Sequence, residues 1–242
     1  MRDFQTAIVT SMGCDPDLIG TPGVSVAGTD SRAENRVSAG YLVGSHFYVT
    51  CDPAVEALLR SATADMEPSL DAWVATGHEL GGELLGSGLM HVPGASGLAS
   101  AAQPADEYEV RALDLEVDRL LVERFVAGNS EDDLDQAEVE LDDLDELVEI
   151  TTGADAEIAS WSSCRPFDMA EAFGDIGVLT HPDHRHRGLG RATVSAICTR
   201  MADAGLSPLY RCDVINTGSA ALAVSLGFEL ATHLTAFRFD VN

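Results

Sequence analysis

The chain has 242 residues, of which 45% are hydrophobic and 22% are charged, so it contains enough apolar material for a packed core. Acidic residues number 40 and basic residues 14, which gives a formal net charge of -26. Phosphate backbones and anionic membrane surfaces would repel such a chain, so we expect neither nucleic acid nor membrane as a partner. All the basic residues are Arg. Adaptation to high salt and a codon bias that favours Arg over Lys both explain this composition.

Cysteine usage points to a reducing compartment. The five cysteines are an odd number, are widely spaced and contain no C-x-x-C pair, which argues against a disulfide framework and against a zinc site. No apolar run reaches the roughly 18 residues of a membrane-spanning helix, and the first residues lead into no long apolar stretch. We therefore expect a cytoplasmic protein.

A stretch of small residues at 93–106 has no periodicity and predicts a linker between two domains. Residues 1–92 form the first predicted domain, a smaller α/β unit of unknown role. Its predicted elements are two strands joined by a tight turn (38–50) and two helices (53–64 and 68–85). The residues before these elements show no clear pattern.

Residues 107–242 form the second predicted domain, in which hydrophobic periodicity switches repeatedly between that of strands and that of helices. The predicted elements are a strand (108–113), a helix (115–125), an acidic amphipathic helix (131–147), a hairpin (147–152 and 157–165), a strand (175–180), a helix (189–204), a strand (209–215), a helix (219–226) and a final strand (234–239). This alternation predicts an α/β or α+β domain built in layers.

The turn before the predicted helix at 189–204 has the features of an anion site. Gly188 and Gly190 allow the backbone to approach a ligand closely, and the helix start offers free N–H groups and the positive end of its dipole. Three of the 14 basic residues fall within this turn: Arg185, Arg187 and Arg191. Neither the dinucleotide pattern G-x-G-x-x-G nor the P-loop pattern occurs in the sequence.

This turn resembles the acyl-CoA signature of the Gcn5-related N-acetyltransferase (GNAT) superfamily, [Q/R]-x-x-G-x-[G/A]. Arg185, Gly188 and Gly190 fill its fixed positions, and the preceding run Val178-Leu179-Thr180-His181-Pro182 matches the family's strand and V-x-P turn.

A second block supports the same resemblance. Asn216-Thr217-Gly218-Ser219 and Leu226-Gly227-Phe228 are similar to the family's N-x-x-[AS] and G-F sequences. The resemblance implies a GNAT-like mixed central sheet flanked by helices over residues 107–242, and it leaves residues 1–92 outside.

The resemblance also implies that acetyl-CoA is the cosubstrate and that its acetyl group passes to a primary amine of a small molecule or a protein. The implied contacts with the acetyl and pantetheine portions of acetyl-CoA are Val178, Leu179 and Thr180. The implied contacts with the pyrophosphate are Arg185 of the signature, His186, Arg187, Gly188, Leu189, Gly190 and Arg191. The implied contacts with the pantetheine arm are Asn216 and Ser219. No metal is expected, because the three histidines of the turn (His181, His184 and His186) offer no convergent geometry and have arginines between them.

The family's usual proton-transfer residues are missing from their places. Many members have a Tyr acid where this chain has Ala223, and the common positions of a Glu base hold Arg211 and Gly174. The remaining candidates are Asp175 as the base and Ser225, Cys212 or water as the acid.

Three interpretations of the chemistry remain open. The candidates above act as base and acid, or the enzyme works by positioning while solvent handles the protons, or the domain is a non-catalytic acyl-CoA sensor or interaction protein. Asp175 has an alternative interpretation of its own, as a strand-edge charge that faces solvent.

The acidic helix predicted at 131–147 falls where the family builds part of its acceptor site. Its negative potential favours a cationic acceptor, such as an aminoglycoside-like molecule, a polyamine or a Lys-rich protein tail, and the alternative is a solvated face in a generally acidic protein. Residues 1–92 contain no R-x-x-G-x-G segment. Three roles are open for them: completing the acceptor pocket, forming a homodimer, or being a degenerate second copy of the fold.

Overall fold

The computed structural model describes residues 1–33, 36–100, 103–139, 147–153 and 157–239. Two compact units divide the chain: the first contains Met1–Val92, Cys212–Thr217 and Glu229–Asn242, and the second contains Pro93–Arg211 and Gly218–Phe228. The first unit therefore includes late stretches of the sequence, and chain order alone does not separate the two units.

The helices and strands are numbered in chain order. The strands are β1 (Gly23–Gly28), β2 (Val37–Val43), β3 (His46–Cys51), β4 (Glu83–Pro93), β5 (Glu109–Ala112), β6 (Leu147–Thr152), β7 (Ile158–Pro166), β8 (Phe173–Thr180), β9 (Ser207–Asp213) and β10 (Phe228–Arg238). The helices are α1 (Arg2–Ser11), α2 (Asp30–Ala33), α3 (Glu56–Ala62), α4 (Leu70–Glu79), α5 (Leu115–Ala127), α6 (Glu131–Gln136), α7 (Leu189–Asp203) and α8 (Thr217–Ser225). Short 3₁₀ turns lie at Pro16–Leu18, Pro53–Val55 and Pro182–His184.

The first unit is built on a mixed sheet whose described strands run in the order β1, β3, β2, β10, β4. β1 and β3 are parallel, whereas β2 is antiparallel to both β3 and β10. As predicted, β2 and β3 form a hairpin, and Gly44 takes the turn conformation with φ of 63°.

The core of the first unit forms around Trp73 of α4. Its ring is fully buried and meets the Phe237 ring edge-on, with 5.7 Å between centroids, while its Nε1 donates a 3.0 Å hydrogen bond to Thr235 O. Gly77 lies one helical turn further on, where a Cβ would come within 2.5 Å of Phe237 Cζ. α4 can therefore lie close to β10 only because position 77 has no side chain.

Two predictions for the first unit were incomplete. The helix predicted at 68–85 ends at Glu79, and β4 begins at Glu83. Gly81, with φ of 74°, and Gly82 end the helix between them, because neither favours a helix interior. α1 and β1 were not predicted, although Phe4, Ile8 and Val9 of α1 are buried and have helical spacing.

The second unit contains a mixed sheet whose described strands run in the order β9, β8, β7, β6, β5. β8 and β9 are parallel, and the other pairs are antiparallel. Ile150, Trp161 and Leu179 are cross-strand neighbours that pack in one cluster with residues of α5. On the opposite face, Thr151 shares a 2.7 Å hydrogen bond with Thr193 of α7. The alternation of side chains along each strand thus places one helix on each face, which confirms the predicted mixed sheet flanked by helices.

The predicted order of strands and helices from residue 147 onward is confirmed in type, with shifts of a few residues at the ends. The exception in this unit is the acidic helix predicted at 131–147. Ser130 caps its start by accepting a hydrogen bond from Asp133 N at 3.1 Å, but α6 ends at Gln136, and Glu138 has a left-handed φ of 51°. A left-handed residue cannot continue a helix. Residues 140–146 of that prediction lie outside the described residues.

Within the described ranges, none of the helices has both the length and the apolar composition needed to cross a membrane.

Candidate functional site

The site begins at the turn between β8 and α7. Gly188 is the N-cap residue of α7, has φ of 77° and makes no side-chain capping hydrogen bond, and His186 two residues earlier also has a left-handed φ, of 63°. The first N–H groups of a helix have no partner within the helix. Since no side chain of the N-cap residue takes one of them here, they can donate to an anion, which the positive end of the helix dipole also favours.

Gly190 places the first turn of α7 against the end of β8. A Cβ at this position would lie 3.1 Å from Thr180 Oγ1 and 3.5 Å from Leu222 Cδ2 of α8. Any larger residue would push these elements apart or fill the space between them. The predicted residues Val178 and Thr180 therefore lie beside the start of α7, whereas Leu179 points into the core on the α5 side.

β8 has an edge without a neighbouring strand near its end. β7 pairs with β8 as far as Thr180, whereas β9 pairs with it only from Phe173 to Ile176 in the described part of the chain. Gly177 O and Leu179 O accept hydrogen bonds from serine hydroxyls of β7. Because the backbone groups of successive strand residues point in opposite directions, those of Val178 point to the other side, where β9 has diverged. They are available to an extended ligand.

The three arginines of this region, Arg185 and Arg187 in the turn and Arg191 in the first turn of α7, differ in their partners. Arg185 donates to Asp133 Oδ2 and to Thr180 O, both at 3.1 Å. Arg187 donates to Tyr108 Oη at 2.6 Å and to Asp183 O at 3.1 Å. Arg191 Nε is buried and has no hydrogen-bond partner in the described structure. Because Arg191 Nε is enclosed, it is not a ligand contact in this structure. The glycine-containing helix start and the exposed side chains of Arg185 and Arg187 are the features that fit a phosphate anion.

Asn216 and Ser219 flank the start of α8. Asn216 immediately precedes the helix, and its N–H donates to Asp213 O at 3.0 Å. Ser219 lies in the first turn, and its hydroxyl shares a 2.9 Å hydrogen bond with Tyr210 Oη. The Ser219 hydroxyl is thus fixed by a buried tyrosine of β9.

Asp175 is buried, with 7% of its surface exposed, so the interpretation of this residue as a strand-edge charge facing solvent is wrong. Its Oδ2 accepts a 2.6 Å hydrogen bond from Arg211 Nε, and Arg211 Nη2 also donates to Glu138 Oε1 at 2.9 Å. Asp175 Oδ1 has no hydrogen-bond partner among the described residues. Burial raises the pKa of Asp175, and the neighbouring Arg211 opposes that increase.

The candidate acid Ser225 lies apart from this pair. It is exposed, and its hydroxyl donates to Leu222 O of its own helix at 2.8 Å. None of the hydrogen bonds between described residues joins Ser225 to Asp175. Ala223, which the resemblance aligns with the Tyr acid of many GNAT members, is fully buried.

The contributions of Tyr108 and Glu157 to this region were not predicted. Tyr108 Oη lies 3.1 Å from His184 Nδ1, and Glu157 Oε1 lies 2.7 Å from His184 Nε2. Tyr108 precedes β5 and is distant in sequence from the turn that it contacts, so no local pattern could have indicated the contact. His184 was predicted only to lie in the turn, and the structure gives it two specific partners.

Comparison with known proteins identifies a family model and proteins of similar fold. Residues 154–237 match the family model described as GNAT acetyltransferase. A GNAT-family acetyltransferase from Colwellia psychrerythraea is similar in structure, with a TM-score of 0.53 and 15% identity over 84% of this chain and 65% of that protein. A GCN5-related N-acetyltransferase from Sphaerobacter thermophilus gives a TM-score of 0.56 and 12% identity over 96% of this chain and 89% of that protein.

At these identities the similarity to solved structures is one of fold. The chain spans slightly less than two thirds of the length of the Colwellia protein, at 65%. No curated protein sequence matches the chain.

Proposed function

Residues 154–237 match the GNAT acetyltransferase family model, and on this premise we propose that the chain is an acetyl-CoA-dependent N-acetyltransferase acting on a primary amine of a small molecule or a protein. Membership in the family implies acyl-CoA-dependent acetyl transfer. The observation that carries the proposal is the turn before α7, where the N-cap residue leaves the first N–H groups uncapped and the exposed Arg187 has no carboxylate partner among the described residues. A pyrophosphate satisfies both.

The proposed acetyl-CoA site has three parts. The first part binds the pyrophosphate and contains Arg185, His186, Arg187, Gly188, Leu189, Gly190 and Arg191. The second part binds the acetyl and pantetheine portions through the backbone of Val178, Leu179 and Thr180. The third part, Asn216 and Ser219, also binds the pantetheine arm. The unpaired edge of β8 supports the second assignment, because an extended pantetheine arm can hydrogen-bond to it as a strand would.

The proposed reaction is a direct transfer. The lone pair of a neutral amine attacks the thioester carbonyl carbon, a C–N bond forms, the C–S bond breaks and the sulfur leaves as the CoA thiolate. The nitrogen loses a proton and the thiolate gains one. An ammonium group has no lone pair, so a base that removes its proton permits attack.

Asp175 is the proposed base. Its buried carboxyl has a raised pKa and one oxygen without a hydrogen-bond partner among the described residues, and both features suit proton uptake. Ser225, Cys212 or a water molecule would supply the proton to the thiolate. The alternative, in which positioning dominates and solvent exchanges both protons, requires none of these groups.

A second candidate function is acyl-CoA binding without efficient catalysis, as a sensor or interaction protein. Three observations favour it: Arg211 stands where the family has a Glu, Ala223 is fully buried in place of a Tyr, and the Ser225 hydroxyl is bonded to its own helix. The pyrophosphate site is the same in both functions, so only a measurement of turnover separates them.

A cationic acceptor is the proposed substrate preference. The first turn of α6 carries Glu131, Asp132 and Asp133, and Glu138 follows the helix. Asp133 and Glu138 already pair with Arg185 and Arg211, which reduces the negative charge that they offer to an acceptor.

The five free cysteines support the proposed cytoplasmic location.

Two measurements test the proposal. Calorimetric titration of the full chain with acetyl-CoA should give a dissociation constant of about 1 µM to 1 mM, the usual range for enzyme substrates. Release of free CoA thiol should then depend on an added amine and be faster for cationic polyamines than for neutral amines. Binding without amine-dependent release would favour the sensor, and the absence of binding would contradict both functions.

A further inference from the structure

We infer that Tyr108 is a positioning residue for the phosphates of acetyl-CoA, acting through Arg187. This inference rests on the proposed function. Tyr108 lies outside the residues that match the GNAT acetyltransferase family, 154–237, and no feature of the sequence connects it with the turn before α7.

The connection is a continuous series of short hydrogen bonds. Arg187 Nη1 donates to Tyr108 Oη at 2.6 Å, Tyr108 Oη lies 3.1 Å from His184 Nδ1, and His184 Nε2 lies 2.7 Å from Glu157 Oε1. We call this series the Tyr108 relay. The Tyr108 and His184 rings meet edge-on with 5.8 Å between centroids. Tyr108 itself is 9% exposed and packs against Ala159 and Leu189, so its hydroxyl has a fixed position.

One assignment of protons satisfies every member of the Tyr108 relay. Arg187 can only donate, so Tyr108 Oη accepts from it and gives its own proton to His184 Nδ1. His184 then carries its proton on Nε2 and donates it to the Glu157 carboxylate. The relay therefore has a guanidinium at one end and a carboxylate at the other, and such polarised series strengthen their individual hydrogen bonds.

The partners of Arg187 leave its charge available to a ligand. Arg185, two residues earlier, is paired with the carboxylate of Asp133. In contrast, the contacts of Arg187 among the described residues are with a hydroxyl and a backbone carbonyl, and neither carries a full negative charge. A guanidinium has five N–H groups, and the two hydrogen bonds use two of them. Since none of the described carboxylates pairs with Arg187, its remaining N–H groups can bind a phosphate bidentately.

Orientation has a measurable effect because Arg187 is exposed. A free arginine side chain on a surface samples many rotamers and must lose that freedom when it binds a phosphate. Tyr108 removes part of this loss in advance. Deleting its hydroxyl should therefore weaken the binding of phosphate-bearing ligands by about three- to tenfold.

The Tyr108→Phe variant tests the inference, because it keeps the ring packing and removes only the hydroxyl. We expect calorimetry to give a dissociation constant for acetyl-CoA about three- to tenfold higher than that of the parent chain. Acetyl-dephospho-CoA, which lacks the 3′-phosphate, separates the two phosphate sources. The same loss with both ligands assigns Arg187 to the pyrophosphate, and a loss confined to acetyl-CoA assigns it to the 3′-phosphate.

Three further substitutions keep the test independent of folding. Glu157→Gln weakens the far end of the relay at a side chain that is 48% exposed, and it should raise the acetyl-CoA dissociation constant by a smaller factor. In an Arg187→Gln background, Tyr108→Phe should have no additional effect. Tyr41→Phe is the matched control, since Tyr41 accepts an equivalent 3.0 Å hydrogen bond from Arg32 in the other unit and should leave acetyl-CoA binding unchanged.

The outcomes are distinguishable. If the parent chain does not bind acetyl-CoA, both the proposed function and the inference fail. If the parent chain binds and Tyr108→Phe binds equally well, the inference alone fails. It also fails if Tyr108→Phe still weakens binding in the Arg187→Gln background, or if it weakens acetylpantetheine, which has no phosphate, as much as acetyl-CoA, because Tyr108 would then act through general structure.

Discussion

Arg211 of β9 holds Asp175 of the adjacent parallel strand β8, with Arg211 Nε donating to Asp175 Oδ2 at 2.6 Å. The resemblance to the GNAT superfamily aligns residue 211 with a position at which several members have a glutamate. A cation therefore stands in place of a carboxylate, and the carboxylate beside it comes from the neighbouring strand. Because burial raises the pKa of Asp175 while Arg211 opposes the increase, the two residues together set the protonation of the proposed base.

Replacing Arg211 by Gln should raise the pKa of Asp175 further, because the opposing positive charge is lost and the burial remains. If Asp175 is the base, the acidic limb of the pH profile of kcat/KM should move to higher pH in this variant. Asp175→Asn should remove that limb and lower kcat by a factor on the order of 100. Thiol release measured from pH 5 to 9 reports both effects.

Arg200→Gln is the control for this experiment. Arg200 pairs with the buried Glu149 in the same unit at 3.1 Å, so its loss removes a similar ion pair on other elements. It should leave the acidic limb in place. Full activity in Asp175→Asn would exclude Asp175 as the base and support positioning with solvent-mediated proton exchange.

Gly188 and Gly205 offer a matched pair of substitutions at the two ends of α7. Both have φ of 77°, and a Cβ at either would have no atom within 4 Å. Alanine at each should therefore lower the free energy of unfolding by about 1–2 kcal/mol through the same left-handed backbone conformation. Only Gly188→Ala changes the turn that precedes the uncapped amides, so only it should weaken acetyl-CoA binding, by about tenfold.

Urea unfolding and calorimetry on the two glycine variants separate stability from binding. Equal losses of acetyl-CoA affinity in Gly188→Ala and Gly205→Ala would mean that α7 as a whole, rather than its N-terminal turn, determines binding. An unchanged affinity in Gly188→Ala would remove the turn from the proposed pyrophosphate site.

The strand, turn and helix of this region were predicted because the information that specifies them is local. Gly188, Gly190 and the three arginines lie within a few positions of one another, and the strand before them and the helix after them have clear periodicities. The anion site follows from these neighbours and from the dipole of α7. The predicted residues Val178 and Thr180 do lie beside Gly190.

Contacts between distant residues were not predictable in this way. Tyr108 meets Arg187 across 79 positions, and Arg211 meets Asp175 across 36 positions, so only the folded sheet brings them together. β4 was missed for a different reason: Leu84 and Leu85 are adjacent apolar residues that are both exposed, and their pattern is not that of a half-buried strand. The grouping of β10 with the first unit was also unpredictable, because β10 comes last in the chain and joins that unit only through contacts between distant residues.

Asp118 should make the fold of the second unit sensitive to acid. Its carboxylate is 1% exposed and accepts two 2.6 Å hydrogen bonds from Arg111 and one of 3.0 Å from Asp114 N. The hydrogen bonds from Arg111 hold the pKa of Asp118 below 3.8. A lowered folded-state pKa stabilises the fold at pH values above 3.8, and this stabilisation is lost as the pH falls through the folded-state value.

Asp118→Asn should therefore lower the free energy of unfolding at pH 7 by about 2–3 kcal/mol. The difference from the parent chain should shrink as the pH falls below about 4, because protonation then removes the same interaction from the parent. Glu123→Gln on the same helix is the control: Glu123 and its partner Arg119 are 57% and 82% exposed, so the change should stay within about 0.5 kcal/mol. Equal effects of the two substitutions in urea unfolding at pH 7 would show that the bidentate pair has no special importance.

The net charge of -26 predicts that salt stabilises the protein. Like charges repel one another in the compact state, and at about 1 M KCl the screening length falls to about 3 Å, which removes most of that repulsion. If screening adds about 2 kcal/mol, Tm should rise by about 4–8 °C between dilute buffer and 1 M KCl. Sucrose, which has no charge, is the control for general exclusion from the surface and should give a smaller increase at equal osmolality. An equal Tm in dilute buffer and in KCl would contradict adaptation to salt, and codon bias would then explain a chain whose basic residues are all Arg.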